Sequence, residues 1–144
     1  MKVNLFKSVK NTAPNLTRDA TFFLDRIRDG NSKKIVEELR TTEDEEKKKI
    51  LKLQLPAVAF NGTFTKRSKN DLKEPSGLMI LDFDDFDTFK DAVDFKTKLK
   101  EDKHIFSAWM SPNYGVKALY RIMDVKDDEH FKAVYGEVEK RYDN

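Results

Sequence analysis

Asp82 and Asp84 are the residues of this chain best placed to do chemistry. They close the run Gly77-Leu78-Met79-Ile80-Leu81-Asp82-Phe83-Asp84-Asp85. Four consecutive apolar residues ahead of an Asp-x-Asp predict a buried strand. Alternation along that strand puts Asp82 and Asp84 on one face, about 6–7 Å apart along it, and turns Phe83 toward the core on the other. Two neighbouring carboxylates repel each other and resist desolvation, and a divalent cation relieves both strains. Magnesium is usually held by one or two carboxylates plus substrate phosphates, so the pair points to Mg2+ or Mn2+ and to phosphoryl or nucleotidyl transfer. The plainer alternative makes these aspartates turn residues, with Asp85 or Asp87 capping the next helix.

A second cluster lies in Ser111-Pro112-Asn113-Tyr114-Gly115-Val116-Lys117. Gly115 lets backbone approach a ligand closely, Ser111 and Asn113 offer short polar groups, and Lys117 is a compact cation suited to phosphate. By itself the segment also reads as a hairpin turn with a solvent-facing lysine. Beside the Asp pair it completes a metal-plus-triphosphate site, with carboxylates for the cation and a basic turn for the phosphates. Lys66 and Arg67, in the polar and basic segment 63–76, are candidates to clamp template or nucleotide. Tyr114 is a candidate to stack a base, whereas the apolar surroundings of Trp109 assign it to the core.

The elements that must position these residues follow from periodicity. Val3 to Phe6 predicts a short strand. Leu16, Ala20, Phe23, Leu24 and Ile27 predict a helix from Leu16 to Ile27, ended by Gly30. Ser32 caps a helix carrying Ile35, Val36 and Leu39, and Thr42 with Glu45 predicts a capping box opening a third. Pro56 to Phe60 reads as a strand closed by Asn61-Gly62, and residues 63–76 as a loop or hairpin. After the Asp-x-Asp strand come a helix marked by Phe86, Phe89, Val93 and Leu99, strands over Ile105–Met110 and Val116–Val125, and a helical stripe of Phe131, Val134, Tyr135, Val138 and Tyr142. The five-residue turn between the last two strands suits an antiparallel hairpin. The order predicts a single α+β domain over 1–144 with a largely antiparallel sheet and a helical N-terminal part.

Composition bounds the rest. Charged residues make up 38% of the chain, yet it holds eleven Phe. That predicts a heavily solvated surface over a real core rather than disorder. A formal net charge of +2 leaves nucleic-acid contact to local clusters. The absence of Cys excludes disulfides and thiolate chemistry. No apolar run is long enough for a signal peptide or a membrane span, so a cytoplasmic protein without membrane contact is expected.

Three segments in order carry a resemblance: Leu55-Pro56-Ala57-Val58-Ala59-Phe60-Asn61-Gly62-Thr63-Phe64, Ser76 to Asp84, and Ser111 to Lys117. Together they resemble the VirE N-terminal-like domain of bacteroidete and phage replication proteins, a relative of the archaeo-eukaryotic primase, or primase-polymerase, superfamily. The resemblance implies a catalytic sheet of RNA-recognition-motif type. It implies metal binding by Asp82 and Asp84, and nucleotide binding by Ser111, Asn113, Gly115 and Lys117, with Lys117 where the wider superfamily has His. Nucleoside triphosphates, a single-stranded DNA template and a helicase domain or protein are the implied partners. The superfamily completes its metal site with an acidic residue on a later strand. Here Asp124, Asp127 and Asp143 are the late Asp candidates, none in a strand-like context, and a chain shortened at its C-terminus is expected. The expected function is thus a primase-polymerase-like nucleotidyltransferase domain. A catalytically inactive nucleic-acid-binding or replication-interaction module, and a metal-dependent nuclease, are the alternatives.

Overall fold

Strands form at the places where apolar residues cluster, and they sort into separate antiparallel sheets. The computed structural model describes residues 1–68, 71–122 and 128–142. The N-terminal sheet has the order β2-β1-β3, from β1 (Lys2–Phe6), β2 (Leu16–Asp19) and β3 (Ala57–Ala59). Three helices separate β2 from β3: α1 (Ala20–Arg28), α2 (Lys33–Thr41) and α3 (Glu45–Gln54). A hairpin follows, β4 (Gly62–Phe64) with β5 (Leu72–Pro75). The C-terminal sheet, ordered β6-β8-β7, comprises β6 (Leu78–Phe83), β7 (Ile105–Met110) and β8 (Val116–Arg121). Helix α4 (Phe89–Leu99) links β6 to β7, and α5 (Asp128–Tyr142) follows β8.

The α+β class and the antiparallel pairing agree with the sequence reading. Several boundaries differ. Residues 16–19 pair with β1 as a strand, with Leu5 opposite Leu16, so the first helix begins only at Ala20. Asp19 caps it, its carboxylate accepting from the Thr21 N–H at 3.1 Å. The Thr21 hydroxyl and N–H, with the nearby N-terminal ammonium, hold the Asp19 carboxyl down at about 2. The third helix is capped by Asp44, which accepts from the N–H groups of Glu46 and Lys47, and not by Thr42. Thr42 ends α2 and turns its hydroxyl to the Asp44 N–H instead. Thr88, not Asp85 or Asp87, caps α4, accepting from the Asp91 N–H at 3.1 Å. The last strand ends at Arg121. The expected extension to Val125, together with Asp124, Asp127 and Asp143, lies outside the described residues. The N-terminal part is not simply helical, because its three strands make a sheet of their own.

Both faces of the C-terminal sheet are covered. Met79, Leu81, Val116, Ala118 and Tyr120 pack against Ala92, Phe95 and Leu99 of α4 and Phe131, Val134 and Val138 of α5. Leu78, Ile80, Leu119, Phe106 and Trp109 turn the other way, onto Val3, Ala20, Phe23, Val58 and Phe60. A register shift between Ile105 and Ser107 puts Ile105 and Ala108 on one face despite their odd spacing. Trp109 packs on Phe60 at 5.6 Å between centroids, as core. The fully buried Asn4 joins the sheets, donating to Thr17 Oγ1 at 2.7 Å and accepting from the Phe64 N–H at 2.6 Å.

Helix α5 is pinned at its end. The Tyr142 hydroxyl and the Arg141 guanidinium (3.2 Å) both reach the Asp102 carboxylate after α4, which also accepts from the His104 N–H at 2.9 Å. Burial pushes the Asp102 carboxyl up, but Tyr142, His104 and Arg141 together outweigh it, and the net shift is downward. Burial, and then the bond to Asp102, push the Tyr142 hydroxyl well above its ordinary value.

Candidate functional site

Register brings the two predicted segments together. In the β6–β8 ladder Asp82 lies directly opposite Lys117. Opposed residues point to the same face, and Lys117 Nζ donates to Asp82 Oδ2 at 3.0 Å. Both side chains keep contact with solvent, Asp82 at 49% and Lys117 at 32% exposure. The face is that of Leu78 and Ile80. Phe83 points away from it, into the helix-side core, 4.7 Å from the Phe95 ring and 5.8 Å from that of Tyr142. The alternation expected for Asp82 and Phe83 is therefore present.

Asp84 sits one residue past the end of β6, at the mouth of the β7–β8 turn. A Cβ added to Gly115 would stand 2.5 Å from Asp84 Oδ1, 2.7 Å from the Phe83 carbonyl oxygen and 3.1 Å from Ser111 Oγ. The bare Cα of Gly115 is what admits the Asp84 carboxylate, so this glycine is required by close approach. Ser111 is buried and organises the turn from within. Its N–H donates to the Gly115 carbonyl at 2.9 Å, and its hydroxyl accepts from the Gly115 N–H at 2.9 Å. Asn113 and Tyr114 stand exposed at the tip. Asp82, Asp84, Ser111, Asn113, Tyr114, Gly115 and Lys117 thus share one corner of the C-terminal sheet.

Lys66 and Arg67 belong to a different neighbourhood. The Arg67 N–H donates to the Thr12 carbonyl at 2.7 Å, its guanidinium donates to the Val9 carbonyl, and it lies over the Phe6 ring at 5.6 Å. These contacts tie it to the β1–β2 connection. Lys66 is exposed on the same segment.

Two residues of the corner were not singled out from the sequence. Arg40, in the last turn of α2, donates from Nη2 to the Ser111 carbonyl at 3.0 Å and from Nε to the Pro112 carbonyl at 3.2 Å. Its guanidinium also lies 4.7 Å from the centroid of the Tyr114 ring. No local pattern signals a helix arginine that serves a turn so far along the chain. Phe89 opens α4, and its spacing reads as core, yet it is 57% exposed and meets Tyr114 edge to face at 5.5 Å. Among the described residues, the non-glycine residues with left-handed backbone are Asp85 at φ 63° and Tyr114 at φ 62°, and they flank the site from its two sides. Such strain persists only where surrounding structure over-determines it, and it concentrates at functional sites.

Two exposed carboxylates form a hard-oxygen donor set suited to Mg2+ or Mn2+, but too few ligands to hold an ion without further oxygens. Among the described residues no group of three or more His, Asp or Glu could hold a metal ion. The donor set therefore fits a cation that arrives with its own phosphate ligands. No helix among the described residues is long and apolar enough to cross a membrane.

The corner sits on an α+β domain whose C-terminal half is a strand, helix, two strands and a helix. That half lies within the span matched by a known family. The model of the BT4734-like, N-terminal domain family matches residues 50–144, well over half of the chain, and the chain belongs to that family. The span includes every residue of the corner except Arg40. No curated protein and no solved structure matches the chain.

Proposed function

We propose that the chain is a primase-polymerase-like nucleotidyltransferase domain of a phage or bacterial replication protein, binding a nucleoside triphosphate with Mg2+ or Mn2+ beside a single-stranded DNA template. One observation carries the reading: residues 82–84 and 111–117, far apart in sequence, meet at one solvent-facing corner, with Lys117 against Asp82 and Asp84 against Gly115. The topology supports it as well. A β-α-β-β-α unit with strand order β6-β8-β7 is the arrangement expected of the first five elements of an RNA-recognition-motif-type sheet, in keeping with the VirE-like resemblance.

Asp82 and Asp84 would hold the cation, which when bound neutralises phosphate charge and lowers the pKa of an attacking hydroxyl. The chain's own residues do the rest. Lys117, paired with Asp82 at 3.0 Å, would supply a point charge for the phosphates beside the carboxylates that would hold the cation. The Ser111–Gly115 hydrogen bonds hold the turn in the shape that presents Asn113 and Lys117. A helicase domain or protein would be the natural neighbour of such a domain.

The second reading is a binding module without turnover. The ion pair between Lys117 and Asp82 favours it, because the lysine already balances the carboxylate. Calorimetry with Mn2+ and a nucleoside triphosphate tests the first reading: binding should require both components and vanish in the Asp82→Asn, Asp84→Asn double variant. Lys117→Ala should weaken it by about 1.5–3 kcal/mol, the range for a hydrogen bond to a charged group. Undiminished binding in the double variant overturns the reading. Incubation with labelled DNA and Mn2+ then separates extension, degradation and mere retention.

A further inference from the structure

We propose that Tyr114 and Phe89 form a stacking platform for the base of the nucleotide whose phosphates the Asp82, Asp84 and Lys117 corner takes. The inference rests on the preceding reading of that corner and extends it to the other end of the ligand. The two rings come from different elements, the β7–β8 turn and the first residue of α4, and meet edge to face at 5.5 Å. Both remain open to solvent, Tyr114 at 44% and Phe89 at 57%. Neither belongs to the core, against whose helix-side cluster Phe83, Phe86 and Phe95 pack instead.

Three features indicate that the Tyr114 ring is held out deliberately. Its φ of 62° is a conformation that glycine takes freely and a bulky L-residue takes under strain. Tyr occupies the position nonetheless. Arg40 reaches across from α2, fixes the turn through the carbonyls of Ser111 and Pro112, and lies on the Tyr114 ring at 4.7 Å. The ring also immediately precedes Gly115, against which the Asp84 carboxylate rests. An aromatic pair in water beside paired carboxylates and a lysine matches the two halves of a nucleotide, a π-faced base and a metal-bound phosphate tail. Stacking on an aromatic face is tolerant of base identity, so the platform fits any nucleobase.

The test compares ATP with base-free ribose 5-triphosphate, each titrated with Mn2+ into the full chain. Wild type should bind ATP about fivefold to a hundredfold more tightly, the span expected for a stacked base. Phe89→Ala and Tyr114→Gly should each erase most of that preference, while affinity for ribose 5-triphosphate stays within about twofold of wild type. Tyr114→Gly keeps the left-handed backbone available, and its circular dichroism spectrum should match that of wild type. Equal binding of the two ligands by wild type, or an intact preference in both variants, overturns the platform and leaves the phosphate site standing. Binding of neither ligand overturns the platform and the nucleotide reading together.

Discussion

The two halves of the molecule solve the same problem, covering a sheet, in different ways. Strands β6, β7 and β8 are six residues each, and helices pack on one side while the N-terminal half packs on the other. Strands β1, β2 and β3 have five, four and three residues, and β2 (Leu-Thr-Arg-Asp) is largely exposed. A strand buried on both faces must be apolar nearly throughout and stands out in a sequence. A short edge strand needs only one or two apolar residues and resembles a helix N-terminus. The carboxylates sit where the well-covered strand runs out, so rigidity there comes from packing that the charged residues do not themselves supply.

Core truncation should expose the contrast most strongly. Leu81, 2% exposed at the centre of β6, should cost about 2–5 kcal/mol when replaced by Ala. Leu16→Ala, on the partly exposed edge strand, should cost less than half as much in the same denaturant titration. Similar losses would mean that the N-terminal sheet is as tightly built as the C-terminal one.

Gly115→Ala joins packing to the site. The new methyl would meet Asp84 Oδ1 and the Phe83 carbonyl well inside contact distance, so about 1–3 kcal/mol of stability should be lost. Metal-nucleotide affinity should fall with it because Asp84 is displaced. Retained stability and binding in this variant would show that the turn can yield.

The α5 pin should carry a pH signature. Asp102 has a lowered folded-state pKa. Its contribution is therefore complete above the ordinary carboxylate value of about 4 and disappears as pH falls through the lowered one. Asp102→Asn should lower the melting temperature at neutral pH and flatten its fall below about pH 4. An unchanged acid profile would place the acid sensitivity elsewhere.

The smallest effect on the fold should come from the site itself. Asp82→Asn with Asp84→Asn should change the metal-free melting temperature little, because the partly exposed Asp82–Lys117 ion pair that is lost is worth at most about 1 kcal/mol. A large drop would make them structural caps. The cap role is already filled by Thr88, which favours the first outcome.

Much of this was legible in the sequence. The apolar run of residues 78–81, the Pro-Asn-Gly turn and the stripe from Phe131 to Tyr142 each carry their periodicity locally, and they became β6, the β7–β8 turn and α5. The meeting of Asp82 with Lys117 was half legible: both segments stood out and were read together as one site, but the expected hairpin joins β7 to β8 and leaves open the β6–β8 register that pairs the two residues. The sequence could not assign Leu16–Asp19, because its pairing partner Lys2–Leu5 decides its conformation. The capping-box pattern chose Thr42, and Asp44 took the role instead, because a side chain at either position can accept from the N–H groups two and three residues on and small differences in backbone angle decide.

What the sequence determined by itself is the list of chemically able residues and the periodicity of the strands and helices that bear them. The tertiary structure alone decided which of them meet. It tied Arg67 to the β1–β2 connection, brought Arg40 from α2 to the Ser111 turn, and left Phe89 in water beside Tyr114. The reason is physical: periodicity is a property of neighbouring residues, whereas these contacts depend on strand register and on the packing of helices from opposite ends of the chain, which no local pattern encodes.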